Sequence, residues 1–375
     1  GHFGEDTIRD WFSKKIKKIG MKDENGNILK LEDLLSEQMK NDLLFFEGNA
    51  QAIRVVSKLH FLVDENGMNL TYALLNTLVK YPVNSLNINK ESGNIKDKKM
   101  GYNLAEEELF REIVENTGTY DVESNVVYRH PLTFILEAAD DIAYCTADIE
   151  DGMKKGFINF EKFIKTMKEE MEDGEKIADK LMEYREYAEK RGYDSPALYA
   201  VQRWVVSVQG MFIRNVVETN IKNYDIIMNG EFRTDLFEDT ESEKLIKILK
   251  KIAFREVFES KSILKMEITA SNILNYFMDN FINSILYWDT PYENELTGID
   301  RKYISILSEN QRHIYRHYSA LYTEKIKKEE ISEDEFKRKD YSYRLYLRLL
   351  LVTDYLSGMT DSFIKTLYQE LMGID

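Results

Sequence analysis

Apolar residues recur at three- and four-residue intervals along almost the whole chain, and no other sequence feature constrains the fold as strongly. Ile8, Trp11, Phe12, Ile16 and Ile19 set the pattern, and Gly20 follows as a C-terminal stop. That spacing puts the apolar side chains on one face of an α-helix. The same period predicts helix from 31 to Leu44, an interruption at Glu47-Gly48-Asn49, and a second helix to residue 62. Helix returns over 70–82, where Pro82 ends it, because the residue before a proline is pushed away from helical geometry. Residues 83–103 are polar, contain Gly93, Gly101 and a lysine cluster, and predict a loop. Helices over 104–116, 131–154, 159–172, 174–191, 196–226, 241–256, 268–287, 298–323, 331–339 and 341–371 complete the reading. With four prolines in the chain and no convincing set of strands, the expected class is all-α. Short hairpins are expected only near 24–29 and 83–100. No repeat or Gly/Ser linker marks a boundary, so one large helical unit is expected.

The charge balance limits the partners. Lys and Arg number 51 against 66 Asp and Glu, a net charge of −15 over 375 residues. The surface as a whole therefore repels nucleic acid and anionic lipid, and a polyanionic ligand needs a local cluster of Lys and Arg. The runs "KKIKK" (14–18) and "KIKKEE" (325–330) read most simply as solvated helix faces. Contact with a single-stranded nucleic acid is the sharper alternative. Cys145 is the one cysteine and has no disulfide partner in the chain, which suits a reducing compartment. No apolar run reaches the roughly 18 residues of a membrane span, and the start does not resemble a signal peptide. The expectation is a soluble cytoplasmic protein with no membrane partner.

Chemistry concentrates in a few stretches. "FILEAADDIAYCTADIEDG" (134–152) carries six carboxylates on what otherwise reads as a buried helix. Burying an unpaired carboxylate costs several kcal/mol, so a metal ion, a basic partner or solvent must compensate it. Asp140, Tyr144 and Asp148 fall at i, i+4 and i+8, on one slowly drifting stripe. A carboxylate, a phenol and a second carboxylate in that order suit a metal ion beside a sugar hydroxyl. An acidic solvent face gives the same pattern, and Asp141 and Asp151 are expected to be exposed or ion-paired. In "GHFGE" (1–5), Glu5 lies three residues after His2, where a carboxylate can hold an imidazole's tautomer for work on a phosphate ester. A tag remnant is the plain alternative. "FFEGNAQ" (45–51) breaks a helix with polar residues that either face a cleft or build a turn. "KYP" (80–82) and "KKMGY" (98–102) bring Lys80, Lys99, Tyr81 and Tyr102 to the polar loop, supplying the positive charge a triphosphate needs. "YRLYLRLLLVTDYLSGMTD" (343–361) carries Arg344, Arg348 and Asp354 on an apolar helix, and a buried Arg there requires an acid or a ligand phosphate.

Taken in order, "GHFGE", "FEGNAQ", "LTYALLNTLVKYP", "KKMGY", "RHPLTFILEAADDIAYCTADIEDG", "QRW…QG" and "DYLSGMTD" resemble the deoxyguanosinetriphosphate triphosphohydrolase family. That family belongs to the HD-domain superfamily of metal-dependent phosphohydrolases, and the resemblance runs from residue 1 to about 370. It is less distinctive around 155–195 and 215–340. It implies hydrolysis of a dNTP, usually dGTP, to deoxynucleoside and triphosphate with a divalent metal, Mg²⁺ or Mn²⁺. The final Asp of the family's His…His-Asp…Asp metal quartet falls on Asp140. The Tyr and Asp that read the ribose 3′-OH fall on Tyr144 and Asp148, and the catalytic His and its acidic neighbour fall on His2 and Glu5. The phosphate-binding Lys-Tyr and later Lys fall on Lys80, Tyr81 and Lys99. Asn49 and Gln51 match the helix-break motif at the cleft, and Arg348 is assigned to a substrate phosphate.

One departure matters. The family's first metal His and its His-Asp pair precede "GHFGE", and no His-Asp dipeptide occurs in this sequence. The sequence is therefore expected to lack the N-terminal part of the HD core and to bind the metal poorly by itself. By the same resemblance, residues 1–155 form the rest of the catalytic core and 156–375 a helical remainder that closes the nucleotide pocket. A homo-oligomer, often a hexamer, and single-stranded DNA are implied as partners. The reading from a different class is a non-catalytic nucleotide-binding or regulatory subunit of the same fold.

Overall fold

The computed structural model describes residues 2–61 and 65–374, with the side chain of residue 2 outside the description. Helices hold 69% of the described residues, so the all-α class stands. The chain forms two compact units, residues 1–129 with 268–375, and residues 130–267. This differs from the single unit expected, and the division does not fall at 155/156. The reason is local: residue 155 only ends a helix whose buried side packs on helices that follow it, so that helix belongs with 156–267.

The first unit opens with α1 (His2–Lys15), a hairpin of β1 (Gly20–Lys22) and β2 (Ile28–Lys30), α2 (Glu37–Leu44) and α3 (Gly48–Arg54). A π-helical turn over Val55–Leu59 continues α3. Then come α4 (Tyr72–Leu78), α5 (Glu107–Asn116) and a second hairpin, β3 (Tyr120–Asp121) with β4 (Val126–Val127). The apolar stripe read from the start of the sequence is the core: Ile8, Trp11, Phe12 and Ile16 are buried with Phe277 and Phe281 and with Tyr346, Leu349 and Leu350. Trp11 spends its indole N–H on Asp279 Oδ1 at 2.8 Å, which a buried indole requires.

The hairpin expected near 24–29 forms, whereas the described residues of 83–100 contain no strand. In that stretch the side chains of Asn84, Asn89 and Asn94 accept from backbone N–H groups two residues ahead, at 3.1 Å each. Those bonds offer the backbone an alternative to a strand ladder. The second hairpin forms instead at 120–127, where Asn125 takes a positive φ of 54°.

The second unit contains α6 (Pro131–Lys154), α7 (Phe160–Glu170), α8 (Gly174–Lys190), α9 (Pro196–Lys222), α10 (Tyr224–Met228) and α11 (Glu241–Ile252), which runs into a π-helical turn over Ala253–Phe258. Pro131 stands in the first turn of α6 and His130 caps it, so the boundary read from the sequence holds. In α6, Phe134, Ala138, Ile142, Cys145 and Ile149 are buried at three- and four-residue steps. Gln209 of α9 donates to Thr146 Oγ1 of α6 at 2.9 Å.

The chain returns to the first unit within α12 (Lys261–Ile285) and continues through α13 (Gly298–Ile306), α14 (Glu309–Ile326), α15 (Glu333–Ser357) and α16 (Asp361–Met372). Three breaks differ from the reading, one of them at 358–360, where 341–371 divides into α15 and α16. Residues 298–323 split at Leu307, which leaves helical geometry to bury its side chain, while Tyr355 Oη donates to the freed Ile306 carbonyl at 3.1 Å. The helix does not break near 340. It runs from the Ser332 cap to Gly358, and Asp340 is held by Thr323.

Candidate active site

In the first unit the sequence motifs meet around one carboxylate. Glu47, buried at the N-cap of α3, accepts from Asn49 Nδ2 at 2.8 Å and from Lys99 Nζ at 3.0–3.1 Å. Arg9 bridges it to α1: the guanidinium lies 2.9 Å from Glu5 Oε2 and 3.4 Å from Glu47 Oε2, and Nε donates to the Phe46 carbonyl at 2.7 Å. Glu5 Oε1 also accepts the Gly48 N–H at 3.2 Å. A Cβ at Gly48 would lie 2.5 Å from that oxygen, so the glycine lets α1 and α3 approach. Glu5, Asn49 and Lys99 are thus joined through Arg9 and Glu47, neither of which the sequence reading singled out. The available signal was the four-residue step from Glu5 to Arg9 and a glutamate just ahead of a helix start.

Lys80 and Tyr81 reach the Lys99 segment through the backbone. Gly101 N–H donates to the Val83 carbonyl at 2.9 Å, and Arg129 Nε donates to the Lys80 carbonyl at 2.9 Å. A Cβ at Gly101 would sit 1.9 Å from the Tyr81 carbonyl oxygen, which no side chain can tolerate. Gly101→Ala is therefore expected to separate the two lysine-bearing segments and cost about 1–3 kcal/mol of stability, as overpacking does. Urea denaturation measures this, and an unchanged midpoint would show that the contact does not hold the loop.

Two further expected ligands are buried outside the Glu47 group. Gln51 does not face a cleft: it is buried, and its amide donates to Asp354 Oδ1 at 2.8 Å. There it joins Arg54, which grips Asp354 through Nε (2.8 Å) and Nη2 (2.7 Å) and Glu106 through Nη1 (2.7 Å). Arg348 is 1% exposed in the core, with Nη1 3.4 Å from the Tyr315 hydroxyl. Its Nε and Nη2 are buried with no hydrogen-bond partner among the described residues, and no hydrogen bond there joins it to the Glu47 group. The side chain of His2 lies outside the described residues.

In the second unit, Asp140, Tyr144 and Asp148 share the side of α6 opposite its buried face. Tyr144 is 65% exposed, and both aspartates are half-buried. Burial first, and then the neighbouring charge of Asp151, raise the Asp148 pKa above the ordinary carboxylate value. Such a carboxyl donates a hydrogen bond more readily than an ordinary aspartate. Asp141 pairs with Lys250 at 2.8 Å, as its expected ion-paired role requires. Among the described residues no group of three or more His, Cys, Asp or Glu side chains is placed to hold a metal ion. The described residues by themselves therefore do not complete a site for the divalent cation.

Comparison with known proteins decides the family. A Listeria monocytogenes deoxyguanosinetriphosphate triphosphohydrolase-like protein is 40% identical over 375 residues, which is the whole of this chain and 74% of that protein. The chain belongs to the deoxyguanosinetriphosphate triphosphohydrolase family. A like-named protein of Listeria innocua matches to the same extent. The deoxyguanosinetriphosphate triphosphohydrolase of Yersinia pseudotuberculosis is 29% identical over 399 residues, covering the whole chain and 76% of that enzyme. No family model matches the chain. No helix of the described residues is long and apolar enough to cross a membrane.

Proposed function

We propose that this member of the triphosphohydrolase family acts on deoxynucleoside triphosphates, dGTP foremost, releasing deoxynucleoside and intact triphosphate. The observation that carries the reading is the Glu47-centred network, which fixes Lys99 and Asn49 beside Glu5 on a rigid helix junction. In this reading Lys80, Tyr81 and Lys99 neutralise the polyphosphate, while Tyr144 and Asp148 take the sugar's 3′-OH and exclude a ribose. Glu5 supports His2 at the α-phosphate. Asp140 is the described residue that would hold a Mg²⁺ or Mn²⁺ ion, and such an ion when bound would supply polarisation of the phosphate and activation of water. The working form is a homo-oligomer in the cytoplasm, with single-stranded DNA a further partner.

Calorimetry with dGTP and GTP tests the sugar assignment. dGTP is expected to bind the tighter, and removing one hydrogen-bond partner by Tyr144→Phe or Asp148→Ala should cost about 1–3 kcal/mol of that binding. Equal affinities, or an unaffected double variant, would remove the sugar role. The second reading is a nucleotide-binding subunit without chemistry; turnover of dGTP with Mn²⁺ or Mg²⁺ that Asp140→Ala abolishes would exclude it. Chromatography of the products then decides the reaction class, since pyrophosphate with dNMP would exclude triphosphate release.

A further inference from the structure

The first unit contains a cavity of about 830 Å³, lined by none of the residues proposed above for the nucleotide. That volume lies in the range of small-molecule sites, about 300–1,000 Å³. Helix α5 contributes Glu107, Glu108 and Glu112, while α14 and α15 contribute Tyr318, Tyr322 and Tyr343. Leu70, Leu75, Leu104 and Leu321 supply apolar surface between them.

The charges of the lining do not cancel. Lys58, 3.3 Å from Glu106 Oε1, is neutralised by a carboxylate outside the cavity, and Lys325 is spent on Glu108. Among the described residues, the Glu112 carboxylate receives the neutral Tyr72 hydroxyl, at 3.2 Å, and no cation, and Glu65 lies 3.9 Å from His317 Nε2. Glu107 meets no cation in an ion pair among the described residues. A nucleotide's phosphates would be repelled here, and a cation drawn in. The aromatic wall suits a cation as well. The Tyr322 and Tyr343 rings stack at 3.7 Å, and the Lys58 ammonium already sits 4.4 Å over the Tyr318 ring. Aromatic faces beside carboxylates attract ammonium groups, and the leucines suit a methylene chain.

We propose that this cavity binds a linear aliphatic polyamine, with its ammonium groups on Glu107 and Glu112 and its methylenes along the tyrosines and leucines. The site is independent of the nucleotide reading. Calorimetric titration of the 375-residue chain with spermidine, at fixed ionic strength, tests it. Saturable binding is expected, weakened about tenfold or more by Glu107→Gln/Glu112→Gln. The control pair Glu183→Gln/Glu186→Gln, on the exposed side of α8, should leave it unchanged. Thermal melts of both double variants confirm that they fold. Absence of saturable binding, equal weakening by the control pair, displacement of spermidine by Mg²⁺ at matched ionic strength, or competition by dGTP would each overturn the proposal.

Discussion

Asp354→Ala is expected to lower stability by about 3–5 kcal/mol, the usual cost of leaving one member of a buried ion pair alone. Arg54 is 4% exposed and Asp354 3%. The alanine would remove both the bidentate acceptor and the acceptor of the Gln51 amide. Glu106 would then hold the guanidinium through a single 2.7 Å contact, while also serving Lys58 and accepting from Asn103 Nδ2 at 3.2 Å. The damage should reach the candidate site, because Gln51 and Arg54 anchor α3, whose first turn carries Asn49 behind Glu47. Urea denaturation of wild type, Asp354→Ala and Arg54→Met/Asp354→Leu measures this. The double variant should recover much of the loss, since it leaves no buried charge unpaired. A single-variant loss under about 1 kcal/mol would mean that water replaces the carboxylate at little cost.

The same network sets an acid limit. Burial pushes the Glu106 carboxyl up, but Lys58 and Arg54 outweigh it and hold the pKa below the ordinary value. Its stabilisation is therefore complete above the unfolded-state pKa and is lost as pH falls through the folded one.

Asp42 should behave in the opposite sense. It is 1% exposed and accepts from Ser85 Oγ (2.5 Å), Tyr346 Oη (2.5 Å) and the Leu104 N–H (2.8 Å). Burial outweighs these bonds and raises its pKa to about 6. The folded state then holds a proton that the unfolded chain has released, so stability falls as pH rises from the unfolded pKa to the folded one. A shift of this size corresponds to on the order of 3 kcal/mol, fully expressed above about pH 6. Asp42→Asn can turn its amide toward the Ser85 hydroxyl and keep its carbonyl on Leu104 and Tyr346, removing the ionisation. Its stability relative to wild type should therefore grow between about pH 4 and pH 7. Denaturant midpoints across that range check it. A difference constant with pH would show that Asp42 does not titrate there.

The sequence by itself determined the helices, because helical period is a local property that each apolar stripe displays independently. The limits of α6 and the core face of α1 were legible in this way, down to Pro131 and to Trp11 and Phe12. The order of short motifs likewise carried the family, since "FEGNAQ" and "EAADDIAY" need no third dimension to be recognised. Tertiary structure decided what faces what. Gln51 looked like a cleft residue and became a partner of Asp354, 303 positions away, because a buried carboxylate gathers the donors within reach, here the Gln51 amide beside the Arg54 guanidinium. Arg348 was read as a phosphate ligand and lies in the core beside Tyr315. Arg9 and Glu47 were invisible as site residues because their roles exist only once α1 and α3 touch across Gly48. The split of 298–323 at Leu307 and the continuity of the helix through Asp340 were settled by burial and by Thr323, neither of which is encoded in local period. Periodicity reports which side of a helix is apolar; only packing supplies the neighbour that gives a polar side chain its work.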